Sequence, residues 1–266
     1  MPLSHAPAYV APLIVFLLIF VWMSSVMTTY VVHDDGTITA TAISGFSWAT
    51  KSDLVFNWHP VLMAFGFILC SSQAVLVFVT KPFDHYTNKL VHIACHSLSL
   101  VSISVAAVAI FKYHNEHGFT NLRSVHSWIG LSTLILFGAQ YVFGFLVYFF
   151  PGATVPFRKA SIPYHIGVGL GISCLVATVF RPSLTGIMEQ LSFNNSCDLS
   201  GTINGQDVSH MMAPDCVIGS ITALAVASLV LGLILAVWVT KHPLEQAAAP
   251  TTFSNDDIKS PLLKTG

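Results

Sequence analysis

Four histidines in this 266-residue chain each stand just inside the opening of an apolar run. His59 lies in Phe56-Asn57-Trp58-His59-Pro60, His92 in Lys89-Leu90-Val91-His92, His126 in Ser124-Val125-His126-Ser127-Trp128 and His165 in Pro163-Tyr164-His165-Ile166-Gly167. Neutral imidazole is the commonest metal ligand among side chains. At membrane depth an ionisable group is costly and turns to the bundle interior, so four at matching depths read as a functional constellation. Two imidazoles on different helices can clamp a planar macrocycle from both faces, leaving no open iron position for oxygen chemistry. The chemistry expected of haem ligands so arranged is electron transfer. A lone intramembrane histidine reads more simply as a core residue bonded to a carbonyl, and it is the matched set that reverses this. His96, four residues after His92 on the same helix face, competes with it for the ligand position. The other seven, His5, His33, His85, His114, His117, His210 and His242, fall in loops or termini.

The elements that must carry these residues follow from composition. The chain is 54% hydrophobic and 9% charged, against roughly 25% charged in soluble domains, so it reads as a polytopic membrane protein. A formal net charge of -1 leaves no basic footprint for nucleic acid. Six apolar runs are each long enough for the roughly 20 residues that cross a bilayer: about 9–32, 54–80, 89–111, 125–150, 163–183 and 214–240. The first is too long for a signal-peptide core and has no cleavage site, so it is expected as a retained span. Residues 33–53 read as a polar segment with Gly45-Phe46-Ser47-Trp48 as an interfacial anchor. Residues 112–118 read as a polar turn and 151–162 as a basic loop. Arg181-Pro182 is expected to kink or end span five, with residues 184–193 continuing as an interfacial or extended turn. Residues 1–240 thus form one six-helix domain, and the polar stretch 241–266 a disordered tail.

An antiparallel bundle converts these positions into depth. His59 and His126 open spans that enter from one side, and His92 and His165 open spans that enter from the other, so each layer holds two imidazoles. About one turn inside each boundary of a core about 30 Å thick, two irons would lie about 20 Å apart. Phe65, Phe67 and Phe137 are candidates for the zone between, and Gly66, Gly130, Gly167 and Gly169 for close approach of helices or haem. Lys81, Lys89, Arg158, Lys159, Lys241, Lys259 and Lys264 lie on the side of both termini, and Lys51, Lys112, Arg123 and Arg181 opposite. Seven against four places both termini in the cytosol. The sequon at Asn194 then faces the non-cytosolic side, where Cys197 and Cys216 would be free to pair. Cys70, Cys95 and Cys174 read as core packing.

These motifs, with Phe111-Lys112-Tyr113-His114-Asn115, Phe150-Pro151-Gly152-Ala153 and an arginine, Arg158, seven residues before His165, resemble the cytochrome b561 family of ascorbate-dependent transmembrane ferric reductases. The resemblance covers about residues 45–240 in one order. It implies an all-α six-helix membrane bundle, usually a homodimer, binding two haems b per chain. His59 would pair with His126, and His92 with His165. Cytosolic ascorbate would bind near Lys81, Lys89 and Arg158, where a basic mouth concentrates an anion. The acceptor, monodehydroascorbate or a ferric chelate, would bind near His114 and Asn115. Arg123 stands where the family commonly has tyrosine, and a cation there favours an anionic acceptor. The expected activity is single-electron transfer from ascorbate through both haems to that acceptor; the contrasting reading is a redox-silent, histidine-lined transporter or proton pathway. Residues 256–263 resemble an acidic dileucine signal. They suggest an endosomal, lysosomal or secretory-vesicle membrane, with the plasma membrane as the other option.

Overall fold

A computed structural model describes residues 6–193, 198–199, 201–209 and 211–241, with residues 179–193, 198 and 241 described by backbone alone. Six helices are long and apolar enough to cross a membrane: Ala6–Val26, Asp53–Thr80, His85–His117, Val125–Phe149, Val155–Thr178 and Pro214–Thr240, here spans one to six. Asn194, Cys197 and the tail beyond residue 241, with its dileucine-like sequence, lie outside the described residues.

Span two lies between spans one and three, spans four and five pack side by side, and span six closes against spans five and one. The shared core draws on every span: Val15, Ile19, Trp22 and Met23 from the first, Val61, Ala64 and Ile68 from the second, then Ile103, Phe137, Ile172 and Val226. Large apolar side chains such as Val101, Ile135, Leu146 and Leu224 stay exposed, as a lipid-facing surface requires.

Several boundaries differ from the sequence reading. Span one stops at Val26, because the β-branched run Thr28–Val32 forms strand β1, pairing antiparallel with β2, Ile38–Ala42. Gly36 supplies the positive φ of 79° at the hairpin turn. Residues 112–117, expected as a turn, continue span three, where Lys112 pairs with Glu116 one turn on; Gly118, with φ 73°, ends it. Arg158 and Lys159, expected in a loop, sit in the first turns of the helix that begins at Val155, where Pro156 near the N-terminus costs no internal hydrogen bond. Arg181-Pro182 does not end that helix, which runs on to Phe193; in membrane helices freed backbone groups are re-satisfied locally, and proline is tolerated. Cys174 is exposed on the outer surface, whereas Cys70 is buried.

The end of the bundle away from the termini carries a small cap. Short pairs β3 (Asp198–Leu199) with β6 (Met211–Met212), and β4 (Thr202–Ile203) with β5 (Gln206–Asp207), meet the β1–β2 hairpin where Thr202 N donates to Gly36 O at 2.9 Å. Tyr30, Ile38, Leu199, Ala213 and Cys216 make its core. Asp215, 1% exposed, fastens the cap to span one, accepting from Trp22 Nε1 at 2.5 Å and Thr28 N at 3.1 Å. Burial and the nearby Asp215 carboxylate push the Tyr30 phenol above its usual 10.0. Asn57, two residues before His59, is buried and donates to the carbonyls of Ile43 and Gly45, each at 2.8 Å.

At the other end a tight link joins spans two and three. Lys81 takes a left-handed conformation with φ 48° to close span two. Asp84 then opens span three, accepting from Tyr86 N at 2.9 Å and Thr87 N at 3.0 Å. Hydrogen bonds from the Thr87 hydroxyl and backbone hold its carboxyl below the usual 3.8. The contribution of this cap is present above 3.8 and lost as pH falls through the lower folded value. Asp84→Ala should therefore speed hydrogen–deuterium exchange over residues 85–89 at neutral pH. Asp84→Asn, which still accepts a hydrogen bond, should keep the protection and lose its acid dependence.

Candidate functional site

Spans two and three hold each other's histidines. His59 Nδ1 on span two lies 3.1 Å from Ala106 O on span three, and His92 Nδ1 on span three lies 2.8 Å from Ala74 O on span two. A carbonyl only accepts, so the proton sits on Nδ1 in both rings and each Nε2 keeps its lone pair for a metal. Both alanines are fully buried; a larger residue would hold the imidazole away from the carbonyl.

The structure brings the four histidines together as two pairs. The ring centroids of His59 and His126 are 6.3 Å apart with planes at 87°, and those of His92 and His165 are 6.4 Å apart with planes at 59°. Packed aromatic rings also reach such distances, so spacing alone does not identify a ligand pair. It does match one: two imidazoles bound through one nitrogen each, at about 2.0–2.1 Å from a shared first-row metal, put their centroids about 6.3–6.5 Å apart. Among the described residues no cluster of three or more His, Cys, Asp or Glu is close enough to hold a bare ion. A two-imidazole set therefore fits a metal whose in-plane ligands come from a macrocycle. Trp58 Nε1, next to His59 in sequence, and His96 Nδ1 are buried without a protein partner. His96 packs 4.5 Å from His92 and 5.5 Å from Phe137, while the ring opposite His165 is that of His92.

The two pairs lie at different depths. Ala106, which touches His59, comes 14 residues after His92 on one helix, so the layers are about 21 Å apart at 1.5 Å per residue. Phe137 and Phe67 meet edge to face at 5.3 Å beside His96. Phe65 points elsewhere, against Phe16 of span one at 5.7 Å. Of the glycines singled out, Gly66 sits where helices meet closely and Gly169 touches Gln140, but Gly167 faces open space.

Residues that sequence reading missed frame His165. Gln140, Gly144 and Tyr148 repeat every four residues along span four and share one face. The Gln140 amide nitrogen donates to His165 O at 2.6 Å and lies 3.0 Å from Nδ1, and the Tyr148 ring stands 5.0 Å away. This i, i+4, i+8 pattern was a readable signal. Lys89 Nζ donates to Tyr148 O at 3.2 Å, which places its charge beside this pair. Arg158 is half-buried two turns before His165, and Lys81 is exposed. At the opposite end His114 Nδ1 is 3.1 Å from Asn121 Oδ1, and Asn121 Nδ2 donates to Asn115 Oδ1 at 2.8 Å. Arg123 is exposed just beyond.

The profile of the eukaryotic cytochrome b561 family matches residues 58–194, the stretch that carries all four paired histidines. The chain belongs to that family. A probable ascorbate-specific transmembrane electron transporter from Oryza sativa subsp. japonica is 39% identical over 181 residues, 64% of this chain and 76% of that protein. A transmembrane ascorbate ferrireductase from Arabidopsis thaliana is 33% identical over 191 residues, 68% of this chain and 79% of the relative. An ascorbate-specific transmembrane electron transporter from Zea mays is 41% identical over 152 residues, and there this cytochrome b561 spans 63% of the relative's length.

Gly144 gives a direct test of the second pair, because a Cβ there would lie 3.1 Å from His165 Cε1. Gly144→Val should lower the haem bound per purified chain.

Proposed function

We propose that this cytochrome b561 is an ascorbate-dependent transmembrane reductase that moves single electrons from ascorbate on one side of the membrane to an acceptor on the other. The observation that carries the reading is the pair of imidazole pairs about 21 Å apart along span three. His59 and His126 would hold one haem b, and His92 and His165 the other. Bound there, haem b would supply a reversible one-electron iron couple. Ala74 and Ala106, through their carbonyls, keep each Nε2 free. The apolar packing around Phe137 keeps water out of the zone between. Gln140 fixes the orientation of His165.

Ascorbate is an anion at neutral pH, so Lys89 and Arg158 would draw it to the mouth beside His92 and His165, with Lys81 at the rim. Loss of one electron and one proton leaves monodehydroascorbate. At the far face His114, Asn115 and Arg123 would receive the acceptor, a ferric chelate reduced to ferrous or monodehydroascorbate returned to ascorbate by an electron and a proton. The seven-to-four distribution of basic residues supports cytosolic termini, and hence cytosolic ascorbate and an acceptor that is lumenal or extracellular. Cys216 is buried and disulfide-bonded in the cap; the reading gives it Cys197 as partner, on the same face as a glycan at Asn194. The bundle would function as a homodimer in an endosomal, lysosomal, vesicle or plasma membrane.

Reduced-minus-oxidised spectra of the purified protein should show bis-histidine haem b bands that appear on adding ascorbate; their absence refutes the proposal. His92→Ala should lose one of the two haems together with fast reduction by ascorbate, and His96→Ala should keep both. Retention of both haems in His92→Ala, with loss in His96→Ala, would exchange the two assignments.

Lys89→Ala and Arg158→Ala should keep both haems and weaken ascorbate use. Loss of a charge-assisted hydrogen bond worth about 1.5–3 kcal/mol corresponds to roughly tenfold or more in apparent affinity. Stopped-flow reduction against ascorbate concentration reads this, and unchanged kinetics in both variants would leave these cations a purely topological role.

A further inference from the structure

Between the two histidine layers, spans two and three are joined by a line of hydroxyl groups. Ser102 Oγ donates to Leu62 O at 2.8 Å, Ser99 Oγ donates to Gly66 O at 2.5 Å, and the Ser71 and Ser99 hydroxyls are 2.8 Å apart. With the histidine–carbonyl contacts at either end, position 59 meets 106, 62 meets 102, 66 meets 99 and 74 meets 92. As one number rises the other falls in step, so all belong to a single antiparallel register.

Serine inside a helix ordinarily turns back to the carbonyl four residues earlier. Ser97 and Ser104 do so on this same helix, donating to Ile93 O and Leu100 O at 2.8 Å each. Ser99 and Ser102 instead cross to the neighbouring span. Ser99 is fully buried, and its close approach depends on Gly66, where a Cβ would come 2.7 Å from Ile103 Cγ2 and 3.1 Å from Ser99 O. The contact is thus specified from both helices.

We infer that Ser99 is a positioning residue for both haem sites at once: by clamping the Gly66 carbonyl it fixes the register in which His59 meets Ala106 and His92 meets Ala74. One residue of slip moves a helix about 1.5 Å along its axis and turns each side chain by about 100°. A change of register at Ser99 would therefore disturb both imidazoles together, although neither touches it. The inference rests on the haem-ligand reading above.

Electron paramagnetic resonance of the oxidised, purified full chain tests it, because the largest g value of a low-spin bis-imidazole haem follows the orientation of its axial rings. Two distinct low-spin signals in the unsubstituted protein establish that both sites are loaded; their absence overturns the haem reading instead. Ser99→Ala should retain two haems per chain and shift both signals together. Ser71→Ala, which leaves the Ser99–Gly66 bond in place, and Ser104→Ala, whose bond stays within its helix, should shift neither. If Ser99→Ala does not accumulate, Ser99→Cys, similar in shape with a weaker donor, is read by the same criterion. A lower melting temperature with both signals unmoved, or a shift at one haem alone, overturns the inference.

Discussion

In hydrocarbon every polar group needs a partner, because an unsatisfied one costs several kcal/mol. A bare imidazole inside a bundle must therefore be held by something, and here two of the four are held by backbone carbonyls of a neighbouring helix. That single requirement shapes much of the structure. It demands small residues at 74 and 106 so that a ring can reach the carbonyl, close contact between spans two and three, and a helix pair that cannot slide. It also sets chemistry, since the nitrogen that donates to a carbonyl is the one that cannot ligate, and the choice is made before any cofactor arrives.

The reciprocity of that pair hides a mismatch. Ala106 follows His92 by 14 residues, but Ala74 follows His59 by 15. On two regular helices the extra residue would rotate Ala74 by about 100° away from its partner. Span two absorbs it with a π-helical stretch, Ala64–Cys70, between the two positions; a wider turn takes up one residue with little added length. Gly66, whose carbonyl Ser99 takes, lies inside that stretch. The irregularity is what lets two helices of unequal spacing present histidine to carbonyl at both ends.

The pairing of depths was legible from sequence because it needs only the starts of apolar runs and the alternation of an antiparallel bundle. His59, His92, His126 and His165 are placed by that argument alone, and the basic residues near the termini follow from the same reading. The errors came where local chemistry outweighs hydropathy. Thr28–Val32 is apolar enough to extend span one, yet β-branching and a partner strand take it out of the helix. Lys112–His117 reads as a loop by polarity but stays helical, since an ion pair one turn apart and a capping glycine support it. Ala74, Ala106 and Ser99 could not be singled out, because their roles depend on which carbonyl faces which ring across two helices.

Distance finally decides what such a bundle can do. On the proposed reading, layers about 21 Å apart would hold one haem near each surface, within reach of a solute at that face. An electron that must cross the full hydrocarbon thickness in one step would cross far too slowly; two such sites would divide the passage into shorter hops through packed side chains. The histidine pairs must be rigid for this, since tunnelling falls steeply with separation. The helix pair that carries one histidine of each pair, spans two and three, is bolted along its length by cross-helix hydrogen bonds. Spans four and five, which bring the second histidine of each pair, are joined to each other at Gln140 and His165 O, 2.6 Å apart, and at Tyr148 and Ser161, whose hydroxyls are 2.8 Å apart. Span four meets span three at Ser97 and Tyr141, whose hydroxyls are 2.8 Å apart, and at Lys89 and Tyr148. One half of the bundle fixes the spacing between the sites, and the other half closes on them.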